Sequence, residues 1–595
     1  MPNKKAANTL DQQRHTLAHL LAGAVKELYP EVKLAIGPTI ETGFYYDFDD
    51  IHLGEADLPR LEDKMRQLLK RGGQVKHWTV KVREAEKQAV SEGQIYKVDL
   101  IRDLAAGGET EVSYYQVGDL VDLCAGPHVS DLSDIKADSF KLDKIAGAYW
   151  RGSEKNKMLT RVYGLAFADK ETLDNYLAMA AAAEARDHRK LGKELGLFVF
   201  SETVGKGLPL LTAKGAAIRR ELERFIVDEE LKRGYQHVIT PDLARLELYK
   251  KSGHYPYYKD SMYAPIKIDE EEFMLRPMAC PHHFELYLSQ PRSWRDLPFR
   301  IAELAKLYRY EQSGELTGLM RARVFCLADA HIICADAEQA KDEAAKVLDL
   351  IDYLVQTFGL KPEVDYWYRL SLGDRGDQSK YYQDDQAWAT AEANLRQVLQ
   401  ARGAKFAEAP GEAAFYGPKI DVQMRNVNGK EDTAFTVQYD FVMPGRFHLA
   451  YIDRDGQERE GIVIHRSSIG ALERIMAFLI EYYAGAFPLW LSPVQIKLLP
   501  VGQDHLAHCQ KLADELRGYG WRVAVDDADE TVGKKTRQAI MEKVPYILVI
   551  GAKEIASNNL TVRLRGQDKT VSLAKEEFVT KIKQEIAQKA LASIL

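Results

Sequence analysis

An arginine and a glutamate, Arg309 and Glu311, stand two residues apart at the end of an apolar alternating run, residues 299–308. Residues two apart on a strand share a face, so a guanidinium fork would lie beside a carboxylate. A second alternating run, residues 322–333, carries Phe325, and the polar segment between the runs contains two glycines. This pattern predicts an antiparallel hairpin with a long flexible loop. An arginine for a phosphate, a carboxylate for an exocyclic amine and an aromatic ring for a base would suffice to hold ATP.

No glycine-rich phosphate loop of the form GxxxxGK[ST] occurs in the sequence, so nucleotide binding would depend on these side chains. An isolated R-x-E is more often an ordinary charged pair on a surface hairpin. The pair alone therefore leaves both interpretations open.

A second group of reactive side chains comes from two distant stretches. His15 and His19 lie at i and i+4 of a segment with helical periodicity, residues 11–29, and share one face. Cys124 and His128 lie in a turn rich in glycine and proline. Three imidazoles and a thiol could form a metal site or an acid–base pocket, and ordinary core or surface histidines are the alternative.

Length and composition set broad limits. A chain of 595 residues is too long for one core, so several domains are expected. The net charge of -7 means that nucleic acid would be bound by local basic patches. Five cysteines at irregular spacing argue against a disulfide framework. With no signal peptide and no apolar run of about 18 residues, we expect a soluble cytoplasmic protein without a membrane partner.

The hairpin residues, followed by the runs GLMRARVF and ADAH, resemble motif 2 of class II aminoacyl-tRNA synthetases, and within that class the threonyl-tRNA synthetases. The similarity runs from about Asp11 to the C-terminus. It implies an enzyme that condenses threonine with ATP to threonyl-adenylate and transfers the acyl group to tRNA(Thr). The implied fold is α+β and multidomain, with an antiparallel class II sheet flanked by helices. The expected parts are an N-terminal α+β editing domain (1–170), a linker helix (171–195), the catalytic domain (196–488) and a C-terminal α/β anticodon-binding domain (489–595).

The same resemblance assigns the histidine and cysteine cluster to hydrolytic editing of tRNA mischarged with serine. A pocket for threonine cannot reject serine strongly, because serine lacks only a methyl group, worth roughly 1–3 kcal/mol. Ala125 stands where an arginine is expected, and the small ubiquitin-like domain that many members carry is not expected here. The editing residues carried over are His15, His19, Cys124 and His128, with Asp122 and Lys97 as neighbours.

In the catalytic domain, Cys280, His331 and His465 have no local metal-ligand spacing, and a free buried cysteine is the alternative. By resemblance they are the three protein ligands of one Zn²⁺. Three ligands leave a coordination position open for substrate. Threonine offers an amino group and a hydroxyl to such an ion, whereas valine lacks the hydroxyl.

The resemblance also implies the remaining site residues, with Mg²⁺ accompanying ATP. Leu327 and Thr433 stand where bacterial relatives are expected to have glutamines. Arg309, Glu311, Arg474 and Lys419 are the expected catalytic residues; Met278, Asp329, Tyr416 and Gln438 are expected around threonine; and Arg309, Glu311, Arg321, Phe325, Gly470 and Arg474 are expected around ATP.

Three further elements are predicted in the catalytic domain. A long helix within residues 219–241, followed by a strand HVIT, resembles motif 1, which implies a homodimer. Residues 385–402 predict a helix. Residues 461–485 predict a strand that runs into a helix and resemble motif 3.

Alternating strand and helix signals after Pro493 predict a small α/β domain with a mixed sheet. By resemblance, Arg537, Glu554 and Arg563 meet anticodon bases, whereas Asp529 stands where asparagine is expected. The basic residues Lys534, Lys535 and Arg565 would attract phosphate, or they belong to a solvated charge run.

We therefore predict a homodimeric class II threonine–tRNA ligase with zinc and magnesium. Two rivals stay open: a sister ligase for serine or proline, and a paralogue that binds RNA without charging it.

Overall fold

The computed structural model describes residues 9–427 and 429–595. The chain forms two compact units, one ending at Ala181 and the other beginning at Ala182. Within these described ranges, no helix has both the length and the apolar character needed to cross a membrane.

The first unit packs helices on two antiparallel sheets. Its elements are α1 (Thr9–Leu28), β1 (Lys33–Leu34), β2 (Thr39–Ile40), β3 (Gly43–Asp49), α2 (Leu58–Arg71), β4 (Lys76–Lys81), α3 (Val82–Ser91), α4 (Ile95–Ala106), β5 (Glu111–Val117), β6 (Leu120–Leu123), β7 (Phe140–Tyr149) and β8 (Met158–Ala166). The larger sheet has the strand order β1-β3-β8-β7, with β2 beside β3, and the smaller one has the order β4-β5-β6.

Helix α1 confirms the helix predicted over residues 11–29. Leu17, Leu20, Leu21 and Val25 are at most 1 % exposed and pack on β3 against residues such as Phe44. This spacing is that of one apolar helix face. Packing of that face fixes the rotation of the helix and therefore the direction of its two histidines.

The linker is two helices, so the single helix predicted for residues 171–195 is wrong. Helix α5 spans Lys170–Arg186 and helix α6 spans His188–Glu194. Between them, the carboxylate of Asp187 accepts a hydrogen bond from the N–H of Arg189 at 2.7 Å. An aspartate that bonds to free N–H groups in this way starts a new helix and interrupts the preceding one.

An eight-stranded sheet dominates the described part of the second unit. The elements around it are β9 (Phe198–Val199), β10 (Leu210–Leu211), α7 (Ala213–Lys232), β11 (Gln236–His237), β12 (Leu243–Arg245), α8 (Leu246–Ser252), α9 (His254–Tyr257), β13 (Ile266–Ile268), β14 (Glu271–Leu275), α10 (Cys280–Leu288), β15 (Phe299–Tyr308), β16 (Val324–Cys334), α11 (Ala337–Thr357), β17 (Tyr366–Leu372), α12 (Asp385–Ala401), β18 (Phe406–Pro410), β19 (Lys419–Arg425), β20 (Glu431–Asp440), α13 (Met443–Phe447), β21 (Ala450–Ile452), β22 (Glu458–Glu460), β23 (Ile462–Ala471) and α14 (Leu472–Tyr482). The strand order is β11-β15-β16-β23-β20-β19-β17-β18, and only the outer pairs β11/β15 and β17/β18 are parallel.

The two faces of this sheet differ in chemistry. On β16, Ala328, Ala330 and Ile332 are at most 1 % exposed and belong to a core shared with α7, α11 and α14. Successive residues on a strand point to opposite faces. Asp329 and His331 therefore face away from that core.

The predicted hairpin is confirmed as β15 and β16, which pair antiparallel from Phe299/Ile333 to Tyr308/Val324. One detail differs. Arg309 and Glu311 lie beyond the last strand pair, in the loop, and do not sit side by side on a strand. The N–H of Glu311 donates to the carbonyl of Arg309 at 3.0 Å, which turns the chain after the end of the ladder.

The motif 1 prediction holds for the helix and only partly for the strand. Helix α7 begins at Ala213, capped by the Thr212 hydroxyl, which accepts from the N–H of Gly215 at 3.3 Å. The strand β11 is only two residues long, Gln236–His237, because it pairs with β15 and then leaves the sheet edge. The predicted helix at 385–402 and the strand–helix unit at 461–485 are confirmed as α12, β23 and α14.

The C-terminal segment forms the predicted small mixed sheet. Its elements are β24 (Ile496–Pro500), α15 (Leu506–Arg517), β25 (Val523–Val525), α16 (Val532–Met541), β26 (Tyr546–Ile550), α17 (Ala552–Ala556), β27 (Asn559–Leu564), β28 (Thr570–Ala574) and α18 (Lys575–Ala587). The strand order is β25-β24-β26-β27-β28, parallel around β24 and antiparallel from β26 onward. The sequence pattern missed α17 and β28, which are short.

Candidate active sites

Strand register brings distant residues into two adjacent rows on the face of the sheet opposite the core. In the first row, His331 on β16 pairs with His465 on β23, His465 pairs with Gln438 on β20, and Gln438 pairs with Lys419 on β19. The second row lies two residues along each strand. It runs Asp329, Ser467, Thr436 and Asp421. Directly paired residues have neighbouring side chains on one face.

Cys280, the first residue of α10, lies beside the two histidines of the first row. Its thiol and one nitrogen from each of His331 and His465 lie within 4.8 Å of one another, and all three side chains are buried. Burial lowers the pKa of His331, so its ring is neutral and offers a lone pair. One thiol and two imidazoles are donors that suit Zn²⁺.

The outer ring nitrogens of both histidines have partners that set their orientation. Nε2 of His465 lies 2.6 Å from Oδ2 of Asp440. Nδ1 of His331 lies 2.8 Å from Nδ1 of His283, whose Nε2 lies 3.1 Å from Oε2 of Glu303. Burial opposes ionisation of Glu303, but the hydrogen bonds from His283 and Thr240 lower its pKa to about 2.

This carboxylate fixes the tautomers of the two histidines. Because Glu303 can only accept, His283 donates from Nε2 and accepts at Nδ1 from His331 Nδ1–H. Nε2 of His331 is then left without a proton, which is the form that binds a metal ion. Sequence reasoning missed His283, Glu303 and Asp440, although a lone acidic residue in the apolar run of β15 was a signal for Glu303.

A cleft of about 590 Å³ opens beside this cluster. The Tyr416 hydroxyl donates to Oε1 of Gln438 at 2.5 Å, and the Tyr416 ring stacks on His465 with centroids 5.0 Å apart. The buried carboxyl of Asp329 has a raised pKa because of desolvation. The residues predicted around threonine all line this cleft: Met278, Asp329, Tyr416 and Gln438.

A second cleft of about 220 Å³ adjoins the first and contains the residues predicted around ATP. The guanidinium of Arg309 lies 5.1 Å from the centroid of the Phe325 ring. Arg474 donates to the carbonyls of Met320 at 3.1 Å and Thr433 at 2.9 Å. The lining includes Arg309, Glu311, Arg321, Phe325, Gly470 and Arg474.

Two details of this second cleft change the expected picture. Gly470 has a φ of +70°, and a Cβ there would lie 2.3 Å from the carbonyl oxygen of Ala434. A larger residue at position 470 would therefore clash with the backbone of the neighbouring strand β20, in addition to narrowing the cleft. Arg321 pairs with Glu311 at 2.7 Å, and Leu327 and Thr433 both border the cleft.

His254 also lines the larger cleft, and sequence reasoning missed it. Its Nδ1 lies 2.7 Å from Oγ of Ser252, whose hydroxyl donates to the carbonyl of Tyr249. Ser252 therefore accepts from His254 Nδ1–H, which leaves Nε2 unprotonated. Burial lowers the pKa of His254 to about 3, so the ring is neutral at pH 7.

In the first unit, the four predicted cluster residues come together. Sγ of Cys124 lies 3.3 Å from Nε2 of His15 and 3.2 Å from Nε2 of His128, and an atom of His19 joins them within 4.8 Å. Nδ1 of His128 lies 3.2 Å from the hydroxyl of Thr16, which itself donates to a backbone carbonyl. His128 therefore contacts the Thr16 hydroxyl through Nδ1 and the thiol of Cys124 through Nε2.

The pKa values in this cluster lie on opposite sides of neutrality. Burial lowers the pKa of His128 to about 4. Burial opposes charge on His19, but hydrogen bonds with Asp122 and Cys124 raise its pKa to about 9. Burial likewise opposes a thiolate, but hydrogen bonds from His128, His15 and His19 lower the pKa of Cys124 to about 3.

A buried polar network lies behind His19. Asp122 lies 3.1 Å from Nδ1 of His19 and 2.6 Å from Nζ of Lys97. Tyr46 donates to Asp122 at 2.6 Å and accepts from Lys97 at 3.1 Å. The charge of Lys97 and the hydrogen bond with His19 outweigh burial and lower the pKa of Asp122. Sequence reasoning missed Tyr46, because it lies in an apolar strand that resembles ordinary core.

The three predicted anticodon residues lie on α16, α17 and β27. Arg537 is exposed, and Arg563 pairs with Asp568 at 3.3 Å. Both carboxylate oxygens of Glu554 accept hydrogen bonds, from the N–H of Gly551 at 3.0 Å and from the Thr561 hydroxyl at 2.8 Å. Base reading by Glu554 would have to exchange one of these bonds.

The expected attraction of phosphate holds for neither Lys535 nor Arg565. Lys535 is buried, with Nζ 3.4 Å from the carbonyls of Pro500 and Asp526. Arg565 donates to the carbonyls of Lys543 at 2.9 Å and Phe487 at 2.7 Å. Backbone carbonyls therefore bind both cations, and the charge run in the sequence did not reveal this.

Three parts of the chain match family models. Residues 263–483 match the tRNA synthetase class II core domain (G, H, P, S and T). Residues 495–585 match the anticodon binding domain, and residues 112–163 match the threonyl and alanyl tRNA synthetase second additional domain.

Whole proteins are similar as well. The chain is 48 % identical over 579 residues to a threonine–tRNA ligase of Geobacillus sp. (strain WCH70), covering 97 % of this chain and 89 % of that relative. It is 47 % identical over 583 residues to a threonine–tRNA ligase of Clostridium botulinum (strain Eklund 17B / Type B), again covering 97 % and 89 %. Among solved structures, the RNA binding domain of threonyl-tRNA synthetase from Cryptosporidium parvum Iowa II matches with a TM-score of 0.63 and 32 % identity, covering 69 % of this chain and 99 % of that one.

Proposed function

This chain belongs to the threonine–tRNA ligase family, and from that premise we propose which side chains perform each step. The chain activates threonine with ATP to threonyl-adenylate and transfers the acyl group to tRNA(Thr). It also edits seryl-tRNA(Thr) by hydrolysis. We propose the cytoplasm as its compartment, since charged tRNA is used there.

For activation, we propose that threonine occupies the larger cleft and ATP, with Mg²⁺ on its phosphates, the smaller one. This proposal rests on one observation: the two clefts adjoin, and Arg309 lines both of them. Attack of the threonine carboxylate on the α-phosphate builds negative charge on phosphate oxygens. Arg309 and Arg474 offset that charge, and Lys419 adds a positive charge near the threonine carboxylate.

Threonine selection rests on the first row of the sheet. We propose that Cys280, His331 and His465 hold Zn²⁺, which when bound supplies a Lewis acid for the amino and hydroxyl groups of threonine. Asp329 accepts from the substrate hydroxyl, while Tyr416 and Gln438 close the pocket beside it. The partners Asp440 and His283 keep both imidazoles turned toward the ion.

For acyl transfer, we propose His254 as the group that accepts the proton of the attacking ribose hydroxyl. Its Nδ1 is occupied by Ser252, so the lone pair on Nε2 is the available base. Its low pKa keeps the ring neutral at every physiological pH.

For editing, we propose that His128 accepts a proton from the attacking water. A neutral His128 and a charged His19, whose ring centroids lie 4.8 Å apart beside Cys124, form an acid–base pair whose pKa values lie apart. The charged His19 then stabilises charge on the ester carbonyl oxygen, and Lys97 holds the Asp122 carboxylate behind it.

We further propose a homodimer formed around α7 and the segment that follows it. Ile239 is 96 % exposed, and Leu231 and Leu243, which are close to it in sequence, are 53 % and 43 % exposed. Neighbouring exposed apolar side chains of this size are typical of an interface. We propose that the C-terminal domain binds the anticodon through Arg537, Glu554 and Arg563.

The decisive experiment joins metal analysis to amino-acid-dependent exchange of pyrophosphate into ATP. We expect about one zinc per chain, exchange with threonine, and none with valine. Cys280→Ala should lose zinc and at least about 100-fold of threonine activation. Cys326→Ala is the matched control, because Cys326 is a buried cysteine on β16 outside the ligand cluster, and it should keep both.

Other results would select a rival function. Exchange with serine or proline in place of threonine would indicate a sister ligase. Binding of tRNA without release of pyrophosphate would indicate a regulator that does not charge RNA.

A further inference from the structure

Ser467 occupies a position on β23 that the reaction scheme above does not use. Its strand partners are Asp329 on β16 and Thr436 on β20, so its side chain stands between theirs on the cleft face of the sheet. It lies two residues from His465 and three from Gly470. One strand thus carries a residue of the amino-acid site, Ser467, and a residue of the nucleotide site in that order.

Ser467 borders both clefts, as Arg309 and Thr436 do. The larger cleft also holds the three ligand residues, and the smaller one also holds Phe325 and Arg474. With threonine and ATP bound as proposed above, residues common to both clefts lie near the junction where the acyl group of an adenylate joins its phosphate. At this junction the reacting carboxylate oxygen and the phosphoryl oxygens carry the charge of the reaction.

The hydroxyl of Ser467 is buried and has no hydrogen-bond partner within the described part of the chain. Its neighbour Thr436 differs, since Oγ1 of Thr436 accepts from Nε2 of Gln438 at 3.3 Å. A buried hydroxyl without a partner costs free energy, so its presence beside a cleft calls for a ligand atom.

The next residue provides an internal comparison. The Ser468 hydroxyl also has no partner among the described residues, but the side chain is 0 % exposed and does not border either cleft. Strand alternation turns it to the opposite face. The two serines therefore share chemistry and burial and differ in their access to the substrate.

We propose that Ser467 contacts the substrate: its hydroxyl donates a hydrogen bond to an oxygen at the junction of the acyl and phosphate groups of threonyl-adenylate. This inference rests on the proposed function of the two clefts. Because the hydroxyl is neutral, its hydrogen bond adds to the stabilisation by Arg309 without repelling the guanidinium. Because the oxygen it meets belongs to the joined intermediate, the bond strengthens on adenylation, not on binding of either substrate alone.

The test uses the full-length enzyme and a non-hydrolysable sulfamoyl analogue of threonyl-adenylate, with affinities measured by calorimetry. Ser467→Ala should weaken analogue binding about tenfold and lower the rate of pyrophosphate exchange, while the Kd values for threonine alone and ATP alone stay within about twofold. Ser467→Thr restores a hydroxyl and should recover most of the loss. Ser468→Ala should bind the analogue like the wild type.

Three results would overturn the assignment. The first is wild-type affinity of Ser467→Ala for the analogue. The second is an equal loss for threonine alone, which would place the serine in the amino-acid pocket. The third is an equal effect of Ser468→Ala, which would indicate a packing effect of the strand. Failure of the wild-type enzyme to bind the analogue at all would instead refute the proposed function itself.

Discussion

At the scale of single residues, the environment of Cys124 sets its chemistry. The thiol is partly exposed, whereas Cys280, Cys326, Cys334 and Cys509 are buried. Hydrogen bonds from the surrounding histidines lower its pKa to about 3, although burial acts in the opposite sense. Because the folded pKa lies below that of a free thiol, about 8.5, Cys124 is a thiolate throughout the range from about pH 5 to pH 8.

We therefore expect iodoacetamide to alkylate Cys124 first, at nearly the same rate at pH 6 and pH 8. An ordinary thiol slows by about tenfold per pH unit below its pKa. Peptide mass spectrometry over time measures both rates. His19→Gln removes a cation and one of the three hydrogen-bonding histidines, so it should restore part of the ordinary pH dependence, with the buried cysteines as internal controls. Tenfold slowing per pH unit in the wild type would show that the thiol has an unshifted pKa.

At the scale of elements, helix α6 holds the loop between β15 and β16, residues 309–323, which lines the proposed ATP cleft. The sequence predicted this helix only as part of a linker. On α6, Nδ1 of His188 lies 2.7 Å from Oε1 of Glu481. A carboxylate accepts that proton, so Nε2 of His188 is free to accept from the N–H of Leu319, at 3.2 Å. Arg474 donates to the carbonyl of the next residue, Met320. Side chains from two helices, α6 and α14, thus bind the backbone of the same loop turn.

Gly318 tests this clamp. It has a φ of +53°, and a Cβ there would lie 2.2 Å from Nε2 of His188. Gly318→Ala should displace the imidazole and raise the KM for ATP about fivefold or more, with the KM for threonine unchanged, in pyrophosphate exchange. Gly314→Ala, in the same loop, is the matched control, because its added Cβ meets nothing within 4 Å. Identical kinetics of the two variants would mean that the clamp does not position the loop.

At the scale of the whole molecule, the exposed apolar side chains after α7 predict the oligomeric state. Full burial of a side chain such as Ile239 contributes about 1.5–3 kcal/mol, and a symmetric dimer uses it twice. Ile239→Glu should therefore convert a dimer to a monomer, or raise its dissociation constant at least about 100-fold. Light scattering after size exclusion measures the mass in solution.

The control for this prediction is Met541→Glu on α16, where the native side chain is 70 % exposed and lies outside the proposed interface. That variant should keep the mass of the wild type. A monomeric wild type, or an Ile239→Glu variant that stays dimeric, would remove α7 and its following segment from consideration as the interface.

The sequence by itself determined the elements with strong periodicity and the identity of the reactive side chains. The hairpin of β15 and β16, helix α1 and the unit of β23 with α14 follow from local alternation and helical spacing, which depend on near neighbours in the chain. Local pattern failed where one polar side chain decides the outcome. Asp187 splits the linker, and Lys535 and Arg565 turn inward to backbone carbonyls.

Only the tertiary structure decided which reactive groups meet and which proton each one carries. Cys280, His331 and His465 have no local spacing in common, because their proximity comes from strand register and from the end of α10. The tautomer of His331 depends on partners far away in the chain, and the pKa values of His128, His254 and His331 depend on burial by the surrounding fold. Hydrogen bonding and burial act through space, so a pattern read along one dimension identifies the candidate groups but not their charge or direction.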